Sequence, residues 1–390
     1  MKILQVYPYF YPAWCYGGVT RVCYEISRTM AKHHEVTVYT TDALNRYKRI
    51  DISENPKIID GIETFYFNNL SNFLCYKYHI PTPVDSINLI KANINKYDII
   101  HLHGYSHLLN IISSYYANKY KTPYVIQTHG ALAASIKNSF FHNIFDYLFG
   151  YKILKSARKM IALNETEKEM YIKMGGSKNK IEIIPNGINL DGYENLPKKG
   201  SFKKKYGIKD DEKIVLYLGR LHKTKGIELL IKAFANLKKK YNKIKLFLIG
   251  PDDGFKYKLH ELVKTLNLEN EIIFLGFISQ KEKLAALVDA KVFCTPKFTG
   301  FPITFIEACA CGTPIITSDG GDVLDWIDNK VGYVVDYDEK QFEEAIYKII
   351  DNKELRKKFS KNCKLLVKEK FNWNKIMNKV ESLYIRVVQK

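Results

Sequence analysis

Two cations five positions apart, Arg220 and Lys225, stand in the segment Gly219-Arg220-Leu221-His222-Lys223-Thr224-Lys225-Gly226. An arginine presents a planar two-pronged donor and a lysine a point charge, so together in a glycine-bounded loop they suit a diphosphate. A solvated basic turn in a lysine-rich chain is the alternative reading of this loop taken alone. A second stretch, Thr299-Gly300-Phe301-Pro302-Ile303-Thr304-Phe305-Ile306-Glu307, offers backbone N–H groups at a helix start with a carboxylate one to two turns in. A helix N-terminus attracts phosphate and a carboxylate accepts paired hydroxyls, which fits Glu307 to the diol of a ribose. Apolar residues on both sides of Glu307 predict a largely buried helix, where a carboxylate needs partners.

Other groups compete for attention. Gly17-Gly18 ends an aromatic run, Tyr7 to Tyr16, and leads into a helix. Glycines there let backbone amides approach a phosphate or sugar, or simply satisfy a turn. The Tyr and Trp side chains suit sugar stacking or ordinary packing equally. His101 and His103 alternate along a strand and so share one face, which favours a core or wall role over metal ligation. Asp336-Tyr337-Asp338 spells a pattern that metal-dependent transferases use, but follows a strand predicted to lie far from the cation loop. Seven cysteines, none in a CxxC pair and most within apolar runs, read as buried free thiols of a reducing compartment.

These loops need a scaffold. Short apolar runs alternate with segments of helical period from Lys2 onward, the pattern of parallel strands covered on both faces. The alternation pauses at Asp191-Gly192-Tyr193-Glu194-Asn195-Leu196-Pro197, rich in breakers, and restarts at Lys213. The expected organisation is an α/β fold of two doubly wound, Rossmann-like domains: 1–190, a linker at 191–205, a second domain at 206–370, and a final helix at 371–390 crossing back to the first. In such sheets ligands bind beside strand C-terminal ends, so the loops named above fall where chemistry is expected.

The bulk numbers narrow the class. A chain of 390 residues with 46% hydrophobic content is globular. Its net charge of +19 is shared by both halves rather than gathered into a tail or stripe, and no nucleic-acid-binding module is present, which counts against a nucleic-acid binder. The N-terminal apolar run is too short for a signal peptide and no stretch reads as a membrane span. The chain is therefore expected in the cytoplasm, with peripheral contact at the inner face of an anionic membrane left open. Phe140 to Leu154 is aromatic and followed by Lys155, Arg158 and Lys159; exposed, it would suit a membrane surface, although aromatic positions on all sides fit a buried helix better.

Gly17-Gly18-Val19, Thr128-His129-Gly130, Pro185-Asn186-Gly187, Gly219-Arg220 with Lys225-Gly226, and Gly300-Phe301 through Glu307-Ala308 to Gly312-Thr313-Pro314 occur in the order seen in family 4 retaining glycosyltransferases. The resemblance runs from residue 2 to about 335. It implies the GT-B fold, with two domains facing across a cleft, and transfer of a sugar from a nucleoside diphosphate sugar to a saccharide or lipid-linked acceptor in polysaccharide synthesis.

It also implies roles. Arg220 and Lys225 would neutralise the donor diphosphate and Glu307 hold the nucleotide ribose. Phe301, Ile303 and Thr304 would touch phosphate and sugar through their amides, with Gly300 beside them. His129 would reach the donor sugar, Gly17 and Gly18 would lie beside phosphate and acceptor, and the backbone at Phe277 would face the base. No metal or other cofactor is expected, since fixed cations replace a divalent ion. The family commonly carries a first glutamate where this chain has Thr299, which puts sugar identity and activity in doubt and suggests one alternative, a sugar-nucleotide-binding subunit without catalysis; an epimerase on the same fold and, from the net charge of +19, a nucleic-acid binder are the others.

Overall fold

The computed structural model describes residues 1–133, 140–298, 301–318 and 324–389, with backbone alone at 140–142. Thr299 and Gly300 thus lie outside the described residues. The chain divides into two compact units: Met1–Asn186 together with Asn374–Lys390, and Gly187–Trp373.

The first unit holds an eight-stranded sheet of β1 (Lys2–Val6), β2 (Glu35–Thr41), β3 (Lys57–Ile59), β4 (Ile62–Phe67), β5 (Ile99–His103), β6 (Tyr124–Gln127), β7 (Lys159–Ala162) and β8 (Ile181–Ile183), in the order β3-β4-β2-β1-β5-β6-β7-β8. All pairs are parallel except the β3–β4 hairpin at the edge. The second unit holds β9 (Lys213–Leu218), β10 (Ile244–Ile249), β11 (Ile272–Leu275), β12 (Ala290–Thr295), β13 (Ile315–Ser318) and β14 (Gly332–Val335) in the order β11-β10-β9-β12-β13-β14. Every strand pair of this sheet is parallel.

The sequence runs explain the burial. In β9 all five residues from Ile214 to Leu218 are buried, because helices cover both faces and no side of the strand meets water. On one face the Ile227–Lys240 helix turns Leu230, Ile231 and Phe234 into the core. On the other, Phe305, Ile306 and Cys309 of the Ile303–Ala310 helix meet Cys363 and Val367 of the Lys353–Lys370 helix.

Apart from the β3–β4 hairpin, the order in each sheet reverses at its first strand. Chain progression leaves β1 toward β2 on one side and returns to β5 on the other; β9 likewise separates β10 from β12. Diverging connections at such a switch point leave a crevice at the strands' C-terminal ends. The loops after β1, β5, β9 and β12 border these two crevices.

The linker expectation is corrected. Residues 191–205 form the short helices Asp191–Glu194 and Ser201–Lys205, packed into the second unit with Phe202 only 1% exposed. The carboxylate of Asp289 accepts the backbone N–H groups of Phe202 at 2.8 Å and Lys203 at 3.1 Å and also that of Gly200, so a buried acid satisfies the orphan amides of that helix start. The boundary falls at Asn186/Gly187 instead. The final helix, Trp373–Val388, packs with the first unit from Asn374 onward.

Candidate donor-binding site

The loop after β9 is shaped by close backbone approaches. Gly250, at the end of β10, sits so near the β9 exit that a Cβ there would lie 2.0 Å from the carbonyl oxygen of Gly219. Gly226 takes φ +67°, and a Cβ on it would stand 2.7 Å from the Tyr337 hydroxyl. Only glycine fits both conditions at Gly226.

Between these fixed points, Arg220 is exposed and its Nη1 donates to Asp253 Oδ2 at 2.7 Å. Lys225 ends a single 3₁₀ turn, Lys223–Lys225, capped by His222, whose side chain accepts from the Thr224 N–H. Burial, and then the neighbouring Arg220 charge, hold the Lys225 ammonium below the usual lysine pKa. Two cations that repel each other, with no carboxylate paired to Lys225 among the described residues, make a place for an anion.

This loop is tied to the next one across the switch point. The N–H of Lys297, after β12, donates to the Lys225 carbonyl at 3.2 Å, and the Lys297 ammonium lies 3.9 Å from the centre of the Tyr337 ring. Tyr337 therefore stands against the cation loop, correcting the expectation that Asp336-Tyr337-Asp338 is remote from it. The two aspartates turn away: Asp338 caps the Glu339–Asp351 helix through the Gln341 N–H at 2.9 Å, and Asp336 accepts from the Gln341 side chain at 2.8 Å.

Downstream, Pro302 caps the helix whose first residues are Ile303 and Thr304, all half-buried, and the Phe301 ring packs on Phe371 at 5.7 Å. Glu307 is buried, as its neighbours predict, and both its partners end on Oε1: the Lys283 ammonium at 2.6 Å and the Tyr193 hydroxyl at 3.3 Å. Burial and the Glu307 charge push the Tyr193 phenol far above the usual range, so it remains a donor. Phe277, after β11, is 86% exposed at the same edge of the sheet.

In the first unit, His129 follows β6 with φ +54°, a left-handed conformation uncommon outside glycine. Glu167, which sequence reasoning missed, holds it there. Its Oε1 accepts from the Thr128 hydroxyl at 2.7 Å and the Gly130 N–H at 2.5 Å, and its Oε2 from the Leu163 N–H at 2.7 Å. Burial pushes the His129 imidazole down to about 3 and puts His101 and His103 well below their ordinary value, so all three are neutral.

Neutrality fixes the protons of a buried chain. Gln5 gives its amide N–H to the Tyr384 hydroxyl at 3.2 Å, so its Oε1 is the acceptor for His103 Nε2–H at 2.7 Å. His103 Nδ1 is then the bare nitrogen and accepts from His129 Nε2–H at 3.0 Å, while Tyr384 donates to His101 Nδ1 at 2.6 Å. His129 Nδ1 is left as a covered lone pair without a partner among the described residues. The shared face of His101 and His103 thus serves the core of the first unit, as the strand alternation predicts.

Gly17 precedes the Gly18–Met30 helix, and both glycines are exposed. The aromatic run packs largely on itself: Tyr9 stacks on Tyr16 at 3.9 Å and Tyr11 on Tyr24 at 5.6 Å. Of the seven cysteines, all free, six are buried and Cys15 is exposed. The buried-helix reading of Phe140 to Leu154 is corrected in its described part, where Tyr147 is 83% and Leu148 54% exposed.

The family model for glycosyl transferases group 1 matches residues 198–366, which include the whole cation loop and Glu307. The model for glycosyltransferase family 4 matches residues 16–191, which include Gly17, Gly18 and His129. The chain belongs to the family 4 glycosyltransferases.

The transferase is 26% identical to an uncharacterized glycosyltransferase of Methanocaldococcus jannaschii, with 98% of each chain covered. It is 27% identical to the UDP-Gal:alpha-D-GlcNAc-diphosphoundecaprenol alpha-1,3-galactosyltransferase of Escherichia coli, over 84% of this chain and 85% of that one. Among solved structures, Anabaena HepE in complex with UDP and glucose superposes with a TM-score of 0.78 at 17% identity, covering 98% of this chain and 99% of that one, so the fold is GT-B. No helix among the described residues is long and apolar enough to cross a membrane.

Proposed function

We propose that this transferase moves a glycosyl group from a nucleoside diphosphate sugar to a hydroxyl of a saccharide or lipid-linked acceptor, with retention of configuration and without a metal ion. The observation that carries the reading is the cation pair at the switch point of the second sheet, Arg220 and the half-buried Lys225. As the glycosidic bond breaks, negative charge grows on the departing diphosphate. Fixed cations placed there stabilise the transition state more than the ground state and take over what a divalent ion would do.

Geometry supports roles for Glu307 and His129 as well. Lys283 and Tyr193 pin one oxygen of Glu307, leaving Oε2 to accept ribose hydroxyls. His129 offers a bare Nδ1 to a sugar hydroxyl, but a group whose pKa lies near 3 is a poor proton acceptor at neutral pH. As the resemblance to retaining family 4 enzymes implies, the acceptor's proton passes to the leaving phosphate oxygen, on the same face as attack. Thr299, where the family commonly has a carboxylate, sets which sugar is accepted. The Escherichia coli relative acts on a lipid diphosphate acceptor, and exposed Tyr147, Leu148 and Tyr151 beside Lys152 and Lys155 support contact with an anionic membrane at its inner face.

The test is a thermal-shift screen against UDP-, GDP- and ADP-sugars, followed by NMR of the anomeric proton of the product with and without EDTA. A donor-dependent shift and a retained anomer in EDTA are expected. No shift with any donor or free nucleotide sinks the reading, and binding without turnover would favour a sugar-nucleotide-binding subunit.

A further inference from the structure

A pocket of about 600 Å³ opens on the second unit away from the loops described above. Its wall includes Ala290 and Lys291 at the start of β12 and Gly312, Thr313 and Pro314 at the entry to β13. These are strand N-terminal ends, so the pocket lies at the opposite edge of the sheet from Arg220, Lys225 and Phe277. Its size is that of a small-molecule site.

The third wall is one stripe of the Lys353–Lys370 helix. Lys353, Arg356, Lys357, Ser360, Lys361 and Lys364 recur at helical spacing beside the buried stripe Phe359, Cys363 and Val367. Lys199 closes the rim. Like charges three and four residues apart on a helix repel, so this stripe opposes helix stability instead of serving it. Among the described residues, a single ion pair relieves the set, Lys357 with Glu354 at 2.9 Å. Arg356 spends its Nη1 on the carbonyls of Ile349 and Ile350 at the end of the preceding helix.

Lys291 shows the strain most clearly. It is half-buried, and burial, together with the charges of Lys199, Lys203 and Arg356, pushes its ammonium down to about 8. The nearby carboxylate of Asp289 is committed to the amides of Gly200, Phe202 and Lys203. A concave site that gathers uncompensated ammonium groups around a partly apolar floor of Val288, Ala290 and Cys311 is complementary to an anion carrying several charges in a small volume.

We propose that this pocket is a second anion site, separate from the donor loop, that binds clustered phosphate groups. The groups come from a soluble polyphosphorylated small molecule or from the headgroups of anionic phospholipids. Lys291, Lys361 and Lys364 make the central contacts, Lys199 and Lys353 complete the rim, and the Ser360 hydroxyl donates from the helix.

Inorganic tripolyphosphate, titrated calorimetrically at low salt into the full chain carrying Lys225→Ala, reads the pocket with the donor loop disabled. Adding Lys361→Met and Lys364→Met, both exposed positions that leave the fold intact, is expected to weaken binding by about tenfold or more. Adding Lys291→Met should weaken it further. A control removing the same charge elsewhere, Lys32→Met with Lys91→Met, should change it by less than about threefold.

Sedimentation with phosphatidylcholine vesicles, with and without phosphatidylglycerol, separates the sources. Loss of vesicle binding in the pocket variant alone assigns the site to headgroups; tripolyphosphate binding that the variant loses, with vesicle binding absent in every chain, assigns it to a soluble ligand. Absence of both kinds of binding, or equal losses in pocket and control variants, overturns the proposal.

Discussion

The backbone N–H of Lys297 donates to the carbonyl of Lys225 across 3.2 Å, joining the loops that follow β9 and β12. The tie places the cation loop and the loop after β12 on the two sides of one switch point. On the proposed reading catalysis uses the Lys225 side chain, while the loop's position depends on its main chain. Lys225→Ala keeps the carbonyl and should lower kcat/KM by about 100- to 1,000-fold without shifting the urea midpoint. Steady-state kinetics with the identified donor, beside a denaturation curve, checks this; activity near wild type would remove Lys225 from the diphosphate site.

Gly226→Ala meets two obstacles, the φ of +67° and the Tyr337 hydroxyl 2.7 Å from the new Cβ. The expected loss of stability is about 1–3 kcal/mol. Tyr337→Ala relieves the contact but not the dihedral, so the double variant should recover only part of the loss. Full recovery in urea denaturation would show that the dihedral strain is negligible.

Lys283→Met leaves the Glu307 carboxylate in its buried place with the Tyr193 hydroxyl as its remaining partner. A cost of about 1–3 kcal/mol is expected, with weaker nucleotide binding because the carboxylate loses its anchor and turns. Calorimetric titration of the nucleotide measures the second effect; unchanged affinity and stability together would mean that the 2.6 Å pair does not position Glu307.

His101, His103 and His129 have folded pKa values below the ordinary 6.5, His129 about 3. Between those limits the unfolded chain binds more protons, so their contribution to stability is intact above about pH 6.5 and declines as the pH falls toward 3. His129 contributes a slope of up to ~1.4 kcal/mol per pH unit over that range, and His101 and His103 act in the same direction. Urea midpoints measured from pH 7.5 to 4.5 should fall steadily on the acid side, and His103→Gln should flatten the fall; a flat profile in the parent would contradict the buried, neutral network.

Local chemistry was readable from the chain because it is local. Runs such as Ile214–Leu218 must be covered on both faces, and this predicts a parallel sheet; Arg220 and Lys225 lie in one short loop, so their spacing alone joins them. The partners that hold the site in place have no such mark. Lys283 reaches Glu307 from another helix, Glu167 grips the Thr128–Gly130 turn from far along the chain, and Tyr337 meets Gly226 after five further strands have formed. The one available signal was the apolar setting of Glu307, which demanded a partner without naming it. The breakers at 191–205 misled for a related reason, since the acid that organises them, Asp289, is remote in sequence.

The Trp373–Val388 helix lends Tyr384 to a hydrogen-bonded chain that begins on β1. During synthesis the first strand leaves the ribosome long before that tyrosine exists, and the whole second unit is made in between. The second unit can mature while its predecessor still waits, with Gln5 and His101 lacking their shared hydroxyl. The half of the protein translated first is thus the half completed last.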